Sequence, residues 1–548
     1  MKRDVKRENQ LNISRRDFLK TSALIGTAGA ITLSGCQPKN SMTSAQGTDV
    51  GTGNYPSDKK WDFENPPQSI PANKIIETLQ ADVVVLGAGL AGVCAAMAAA
   101  EKGAKVIVLE KREVSTFHGG WCGVVGSRRQ KELGIDIDAD EVIADMMRWG
   151  AYMPDQRLLK LWADESGRVM DRLLDMADAE GIETIPEPDL KQSWLYKEYD
   201  ISLRFLPAWN ATLVPLIEKN AKAAGAEFLY ETPAVQLLRE EENGRVVGVI
   251  AENLDGYLRI DAKAVIICTG GYENNPEMLA KYAPRALHAA SSWYSEGSTT
   301  GDGIKMGMWV GGAMQAGGYC PMLFDGGIPG FPLPIGLARQ PWLNVNTLGK
   351  RYVNEDAPFG YTCNQDINQP GHMKWSVWDA KWEDEVELMH GTVCERLVPP
   401  LWSADVLDQS LKAGFIVQAD TLEELATIME VPLDTFLQTV QRYNELAKSG
   451  KDLDFGKNSE MLTTIEQAPF FATKSGAALV VTLDGLQIDT NMQVLGTEGK
   501  QIPGLYAAGN ASGNFFANDY PITAIGVSHG RALTFGWLAG ENAVQNLA

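Results

Sequence analysis

Two patterns of apolar residues in the first third of the chain predict a strand–turn–helix–strand unit. Residues 81–86 (ADVVVL) are almost wholly apolar and rich in β-branched side chains, which is typical of a buried strand. Residues 93–102 are rich in alanine and predict a helix that ends at Gly103, and residues 105–109 (KVIVL) predict a second strand. This order of elements is that of a Rossmann-like α/β unit.

A different pattern marks the later part of the chain. Residues 421–430 and 433–447 repeat apolar positions at helical spacing. Asp420 and Thr421 are candidate N-caps, and Gly450 lies just beyond the second helix. The change of pattern predicts a second structural unit in this region.

The turn between the first predicted strand and helix has the spacing that binds a dinucleotide. It reads Gly87-Ala88-Gly89-Leu90-Ala91-Gly92. The first glycine permits the tight turn, the second lets the backbone approach a pyrophosphate, and the third lets the helix pack closely on the strand. Glu110 ends the second strand, where an acid accepts hydrogen bonds from a ribose. A glycine-rich turn without a ligand is the alternative, but it does not explain the accompanying helix, strand and acid.

Composition narrows the classes of function. A chain of 548 residues is long enough for two or more domains, and a net charge of −21 makes nucleic acid an unlikely partner, because like charges repel. The seven cysteines include no C-x-x-C pair, and there are only five histidines. We therefore predict no metal site, iron–sulfur cluster or c-type haem.

The first residues predict export. Residues 14–20 (SRRDFLK) match the twin-arginine signature, and the weakly apolar residues 21–33 are too short to span a bilayer. Residues 33–36 (LSGC) resemble a lipobox, which predicts lipidation of Cys36, with an ordinary cleavage site as the alternative. Residues 37–78 read as a flexible tether. We expect export by the Tat translocase to the periplasm or to the outer face of the cytoplasmic membrane.

Five further segments carry a resemblance to a known family. Their order resembles that of the FAD-dependent oxidoreductases that include fumarate reductase and succinate dehydrogenase flavoproteins and 3-ketosteroid dehydrogenases. The segments are residues 264–272 (AVIICTGGY), 300–307 (TGDGIKMG), 349–355 (GKRYVNE), 502–509 (IPGLYAAG) and 534–540 (TFGWLAG). The resemblance runs from about residue 80 to 548.

The resemblance implies the architecture and the cofactor. The fold class is α/β, with a Rossmann-like FAD-binding domain that is discontinuous in sequence (79–313 and 482–548) and an inserted α+β capping domain (314–481). The implied FAD-binding residues are Gly87, Ala88, Gly89, Ala91, Gly92, Glu110, Lys111, Gly119, Gly120, Thr269, Gly270, Gly271, Asp302, Gly509, Asn510, Ala524 and Ile525. His118 has the offset of the histidine that links covalently to FAD in membrane-complex fumarate reductases. The residues after it match poorly, so we expect non-covalent FAD.

The substrate-binding positions depart from the fumarate reductases. Where that group has a proton-donating arginine this chain has Phe359, and where it has a substrate-binding histidine this chain has Val481. The second substrate arginine is also missing, because residues 518–521 read NDYP. A buried dicarboxylate needs paired cations, so the departures argue against fumarate or succinate as the substrate.

The candidate catalytic residues come from the ketosteroid dehydrogenase side of the resemblance. Tyr520, before a proline, resembles the tyrosine that contacts the substrate carbonyl there. Tyr361 lies two residues after Phe359, and in an extended segment it would share that residue's face. A packing role for Tyr361 is the alternative. Arg351 is a candidate for orienting the cap or the flavin, with a purely structural role as the alternative.

These residues predict reduction of an activated C=C bond in an enone, an aromatic acrylate or a steroid-like small molecule. Hydride would pass from flavin N5 to the carbon β to a carbonyl, with Tyr361 or Tyr520 polarising that carbonyl or protonating the α carbon. No separate NAD(P) domain is visible, which predicts an external donor such as a cytochrome, an FMN-protein or a quinol-linked protein. The alternatives are the reverse dehydrogenation, fumarate reduction, and a non-catalytic electron carrier.

Overall fold

The computed structural model describes residues 61–186, 197–240, 244–293, 297–329, 336–386, 388–389 and 403–547. The predicted export signal, the predicted lipidation site Cys36 and the first part of the predicted tether lie outside these residues. Within the described ranges, no helix combines the length and the apolar character needed to cross a membrane.

Seventeen strands and thirteen α-helices are described, together with short 3-10 turns. The strands are β1 (Ile75–Leu86), β2 (Val106–Leu109), β3 (Cys122–Gly123), β4 (Thr184–Pro186), β5 (Ser202–Phe205), β6 (Glu227–Leu229), β7 (Ala234–Arg239), β8 (Val246–Asn253), β9 (Gly256–Ile267), β10 (Ser291–Ser292), β11 (Pro321–Gly327), β12 (Leu343–Asn346), β13 (Lys374–Trp378), β14 (Ile416–Ala419), β15 (Phe470–Thr482), β16 (Gln493–Leu495) and β17 (Gln501–Ala507). The helices are α1 (Leu90–Glu101), α2 (Arg128–Glu132), α3 (Ala139–Trp149), α4 (Gln156–Ala179), α5 (Asn210–Ala223), α6 (Pro276–Tyr282), α7 (Asp302–Trp309), α8 (Phe359–Ile367), α9 (Trp382–Glu385), α10 (Ala404–Ala413), α11 (Leu422–Met429), α12 (Leu433–Ser449) and α13 (Val527–Gln545).

The largest sheet confirms the predicted α/β class. Its strand order is β16-β17-β9-β1-β2-β6, and the five strands from β17 to β6 run parallel. The hairpin β7–β8 adds to it through β9. Strand β17 pairs with β9 although more than 200 residues separate them, so the sheet is assembled from distant parts of the chain. Helix α1 connects β1 to β2, as in a Rossmann-like unit.

Helices α1 and α13 pack together at backbone distance. Every residue of α1 except the last is buried, because its side chains are small and apolar. A Cβ atom on Gly536 would overlap the carbonyl oxygen of Ala91, and one on Gly540 would overlap that of Ala95. The two glycines of α13 and the short side chains of α1 allow this approach. The last helix of the chain is thereby held against the first.

A second sheet forms the core of the capping unit. It has six strands, β10 to β15, and the 13-residue strand β15 pairs with β10, β11, β13 and β14. The two helices predicted from the periodic pattern are α11 and α12. Thr421 caps the first by accepting the Glu424 N–H at 3.1 Å, and Gly450 ends the second with a left-handed backbone.

The sheet begins earlier than the sequence pattern predicts. Strand β1 starts at Ile75, and its residues up to 80 are mostly exposed, so they lack the apolar signal of residues 81–86. Phe63 is buried, and its carbonyl accepts a hydrogen bond from Trp309 Nε1 at 2.9 Å. The segment predicted as a tether therefore includes a buried side chain at Phe63 and the first residues of β1.

The α1–α13 contact gives a stability prediction. Replacing Gly536 with alanine places a methyl group against the Ala91 carbonyl, so we expect the free energy of unfolding to fall by about 1–3 kcal/mol. Urea denaturation measures the change. Gln545→Ala, at an exposed position of the same helix, is the control and should change stability by less than about 0.5 kcal/mol. Equal stability of the two variants would contradict the close packing.

Candidate active site

The implied cofactor residues converge at one edge of the main sheet. They follow the carboxyl ends of β1, β2, β9 and β17, which are neighbouring parallel strands. Backbone hydrogen bonds hold these ends together: Gly87 N–H donates to Leu109 O at 2.7 Å, and Cys268 N–H donates to Leu86 O at 2.8 Å. Open α/β sheets bind their ligands at this edge.

The turn after β1 has the geometry that a diphosphate requires. Gly87 has φ +96°, and a Cβ atom there would lie 2.6 Å from Cys268 O. A Cβ atom on Gly92 would overlap the Gly87 carbonyl oxygen. At Gly89, in contrast, no atom would lie closer than 3.8 Å. The turn therefore packs tightly on the protein at Gly87 and Gly92 but leaves open space at Gly89. The first N–H groups of α1 face this space and are available to an anion.

Two acids at this edge already have partners. Glu110 accepts the N–H groups of Ala88 (2.8 Å) and Arg112 (2.9 Å), and burial raises the pKa of its carboxyl. Carboxylate oxygens accept more than one hydrogen bond, so these contacts leave the implied ribose contact open as a prediction. Lys111 Nζ lies 3.2 Å from Asp302 Oδ2, which joins the loop after β2 to the first residue of α7.

Residues near 120 meet residues near 525. Gly123 N–H donates to Gly526 O at 2.8 Å, and a Cβ atom on Gly119 would lie 2.5 Å from the ring of His529. This contact brings Gly119 and Gly120 close to Ala524 and Ile525, although about 400 residues separate the two pairs. The side chain of His118 is exposed beside them, and non-covalent attachment of FAD remains a prediction.

A tryptophan that the sequence analysis missed packs on this region. A Cβ atom on Gly120 would overlap the side chain of Trp209, whose backbone has φ +57°. The guanidinium of Arg204 lies 5.6 Å from the ring centroid of Trp209 and 5.9 Å from that of Trp121. No local pattern marks these residues, because the contacts join three separate segments.

Aromatic side chains meet around Phe359, the position at which the resemblance implies the proton-donating arginine of fumarate reductases. Phe359 is buried, and its ring centroid lies 4.5 Å from that of Phe324, which in turn lies 5.1 Å from Trp293. Val481, on β15, pairs with Met322 in the same sheet. The rings of Phe359, Phe324 and Trp293 therefore form one continuous aromatic wall.

The same wall touches the segment that contains Tyr520. A Cβ atom on Gly360 would lie 2.8 Å from Asp519 Oδ1, and Asn364 donates to Asp519 Oδ2 at 2.8 Å. Burial raises the pKa of the Asp519 carboxyl. Tyr520 is 4% exposed, and its hydroxyl oxygen lies 3.5 Å from the N–H of Ser528 in the first turn of α13. Helix α8 of the cap thus contacts Asp519, the residue before Tyr520.

One cation lies against the aromatic wall. The guanidinium of Arg339 is 5.1 Å from the ring centroid of Phe324 and 5.7 Å from that of Phe359. Both distances are within the range of cation–π attraction. Arg339 ends a short 3-10 turn twenty residues before Phe359, so spacing along the chain gave no sign of the contact.

The structure does not support the proposed position of Tyr361. Residues 359–367 form helix α8 rather than an extended segment, so residues two apart do not share a face. Phe359 is buried, whereas Tyr361 is 40% exposed and stacks on Trp149 with ring centroids 4.7 Å apart. This is the packing alternative, and we do not carry the catalytic role of Tyr361 further.

Arg351 is engaged within the cap. Its Nη2 lies 2.8 Å from Glu355 Oε2 and 2.8 Å from Asp452 Oδ2, and its guanidinium also lies over the rings of Tyr443 and Phe455. These contacts join the end of β12 to the loop after α12. The arrangement supports the structural alternative for Arg351 rather than a catalytic role.

One group of potential metal ligands occurs within the described residues: Asp325, Cys363 and Asp366. The ammonium group of Lys374 lies 2.7 Å from Asp325 and 3.4 Å from Asp366, and Tyr352 donates to Asp366. Because a lysine supplies the positive charge at this position, we assign no metal to the cluster.

Comparisons with known proteins define the class. Residues 82–527 match the model of the family described as FAD binding domain, so the chain belongs to this family of FAD-dependent oxidoreductases. It is 30% identical to vinyl phenol reductase of Lactiplantibacillus plantarum over 85% of this chain and 96% of that protein. It is also 31% identical to 3-oxosteroid 1-dehydrogenase of Mycobacterium tuberculosis, over 54% of this chain and 56% of that protein.

A solved structure agrees with both the fold and the resemblance. The open conformation of a flavocytochrome c3 fumarate reductase superposes with a TM-score of 0.67 and 25% identity, covering 89% of this chain and 83% of that one. The predicted relationship to fumarate reductases and ketosteroid dehydrogenases is therefore confirmed, as are FAD as the cofactor and the enzyme class. The open space at Gly89 and the N-terminus of α1 fit a dinucleotide.

The open space at Gly89 predicts that a larger side chain there weakens FAD binding without lowering the stability of the apoprotein. Gly89→Val fills the open space, so we expect the Kd for FAD to rise at least tenfold while the apoprotein unfolds at an unchanged temperature. Quenching of flavin fluorescence and thermal denaturation measure the two quantities. Gly103→Ala, at the other end of α1, strains a backbone with φ +81° and should lower only the stability. An unchanged Kd in Gly89→Val would contradict the assignment.

Proposed function

We propose that this enzyme reduces a C=C bond conjugated to an aromatic ring or to a ring ketone, as in an aromatic acrylate, an enone or a steroid-like molecule. The contact between Phe359 and Phe324 carries this proposal, because two apolar rings meet at Phe359, where the resemblance implies the proton-donating arginine of fumarate reductases. The relatives named for vinyl phenol and 3-oxosteroids, both of which contain rings, support the same class.

The number of cations limits the charge that the substrate can carry. Phe359 and Val481 replace two of the expected polar groups, and residues 518–521 contain no arginine. Arg339 is the cation that lies against the two phenylalanine rings. The positions at which the resemblance implies substrate-binding cations therefore offer no cation pair to a dicarboxylate, and a buried carboxylate without a paired cation is costly. A neutral or singly charged substrate fits better.

Residues of the chain orient the substrate, exclude water and deliver a proton, and the cofactor supplies the hydride. An external donor returns the two electrons to the bound FAD. The aromatic wall orients the substrate and excludes water from it. Tyr520, buried beside the first turn of α13, polarises the conjugating group or delivers the proton to the second carbon of the alkene. One hydride and one proton convert the C=C bond to CH–CH.

A substrate panel tests the proposal. We expect anaerobically reduced holoenzyme to be reoxidised at least 100-fold faster by a cinnamate, a vinylphenol or an enone steroid than by fumarate, because paired cations are missing. Stopped-flow absorbance of the flavin measures the rates. Rapid reoxidation by fumarate would contradict the proposal, and an inert flavin across the whole panel would favour an electron carrier.

Tyr520 and Tyr361 form a matched pair for the proton-transfer step. Tyr520→Phe removes only the hydroxyl, so we expect kcat with the substrate found in the panel to fall about 10²–10⁴-fold while FAD stays bound. Tyr361→Phe removes the same group from a stacked surface ring and should change kcat less than twofold. Similar rates for the two variants would show that Tyr520 does not take part.

We further propose that the protein works outside the cytoplasm. The support is the twin-arginine signature at residues 14–20 and the lipobox-like residues 33–36. Export in the folded state suits a protein that receives FAD before it crosses the membrane. A donor at the membrane, such as a cytochrome, an FMN-protein or a quinol-linked protein, would then reduce the FAD.

Two variants separate export from anchoring. Replacing Arg15 and Arg16 together with lysine should leave the protein in the cytoplasm, because the Tat translocase reads the arginine pair. Cys36→Ala should permit export but release the protein from the membrane fraction. Immunoblots of fractionated cells measure both. Normal export of the double lysine variant would contradict the Tat assignment.

A further inference from the structure

Arg531, in the second turn of α13, is a buried cation without a carboxylate partner among the described residues. It is 0% exposed. Its Nη1 donates to Ser512 O at 3.2 Å and its Nη2 to Asn510 Oδ1 at 2.7 Å, so both acceptors are neutral. Within the described part of the chain, its Nε is buried and has no hydrogen-bond partner.

Burial without a counter-charge is unfavourable for a guanidinium. The cost shows as a pKa of Arg531 lowered to about 10, with burial as the main cause. The group therefore stays protonated at neutral pH. The rings of Phe516 and Phe515, at 4.9 and 5.7 Å, offset only part of the cost, because cation–π attraction is weaker than an ion pair.

A second buried arginine, Arg351, has the carboxylate contacts that Arg531 lacks. Arg351 is nearly as buried as Arg531, but it contacts Glu355 and Asp452, both at 2.8 Å. The pKa of Arg351 is raised by the two carboxylates, the opposite direction to that of Arg531. Arg531 therefore has no carboxylate in direct contact among the described residues, and Asp484 acts on its charge only from beyond salt-bridge distance. The missing contact points to a negative charge supplied by a ligand.

The position of Arg531 identifies the ligand. Asn510, which it contacts, is an implied FAD-binding residue at the carboxyl edge of the main sheet. Cys320, Tyr520 and Asp484 also lie close enough to interact with its charge. In a helix the Cα–Cβ bond tilts toward the N-terminus, here toward the turn at Gly526 that meets the strand β3. Arg531 thus lies between the cofactor edge and the substrate side.

We infer that Arg531 is the fixed positive charge that compensates the negative charge gained by FAD on reduction, and that it thereby raises the reduction potential of the bound cofactor. Protein charges near a flavin tune its electronics, and they act strongly in a dry interior. The inference rests on FAD binding alone and does not depend on the proposed substrate class.

The reduction potential of the bound cofactor tests this role. We expect Arg531→Met to weaken the preference for reduced FAD at least tenfold, which is about 30 mV for a two-electron couple. Arg531→Lys keeps the charge and should restore at least half of that shift. Spectroelectrochemical titration of the FAD-loaded variants measures both. Equal potentials for wild type and Arg531→Met would overturn the inference, because a purely structural arginine would not move the potential.

A second variant covers the case in which Arg531→Met does not fold or hold FAD. Asn510→Asp is nearly isosteric and puts a carboxylate on the atom that Nη2 already contacts. The new ion pair cancels the positive charge without removing the arginine. The preference of the protein for reduced FAD should therefore weaken at least tenfold, which lowers the reduction potential by about 30 mV. An unchanged potential in Asn510→Asp would also overturn the inference. Neither outcome depends on which alkene the enzyme reduces.

Discussion

Close backbone packing around the turn after β1 is the constraint that fixes both the main sheet and the anion-binding end of α1. Gly87 approaches Cys268 O, Gly92 approaches Gly87 O, and Gly536 approaches Ala91 O, in each case too closely for a side chain. These approaches join β1, β9 and α13, which lie at three distant points of the chain. The same closeness leaves Gly89 open and exposes the first N–H groups of α1, so packing and anion binding have one cause.

The capping unit depends on strand β15, which pairs with four strands of the cap and ends at Thr482, where the chain returns to the first domain. Buried ion pairs such as Arg351–Glu355 and Lys374–Asp325 hold cap elements in place. This rigidity brings the aromatic wall at Phe359 next to Asp519 and Tyr520. The proposed substrate side therefore includes residues of both units.

Local patterns predicted the fold well, and they failed where contacts join distant segments. The glycine turn, α1 and the two cap helices follow from spacing within about 20 residues. The helix at Phe359 also had a local signal, because Phe359, Cys363 and Ile367 recur at helical spacing, but the extended segment assumed for Tyr361 ignored it. Arg339 gave no signal, because its contacts with the two phenylalanine rings join separate parts of the chain.

We expect one edge of the main sheet to hold FAD and the aromatic wall to face the reactive side of the flavin. A crystal structure of the FAD complex with a saturated aromatic product tests this most directly. The account predicts the diphosphate at the Gly89 N–H, the flavin beside Gly119 and Ile525, and the product ring against Phe359. A diphosphate bound elsewhere, or a product ring away from Phe359 and Tyr520, would contradict it.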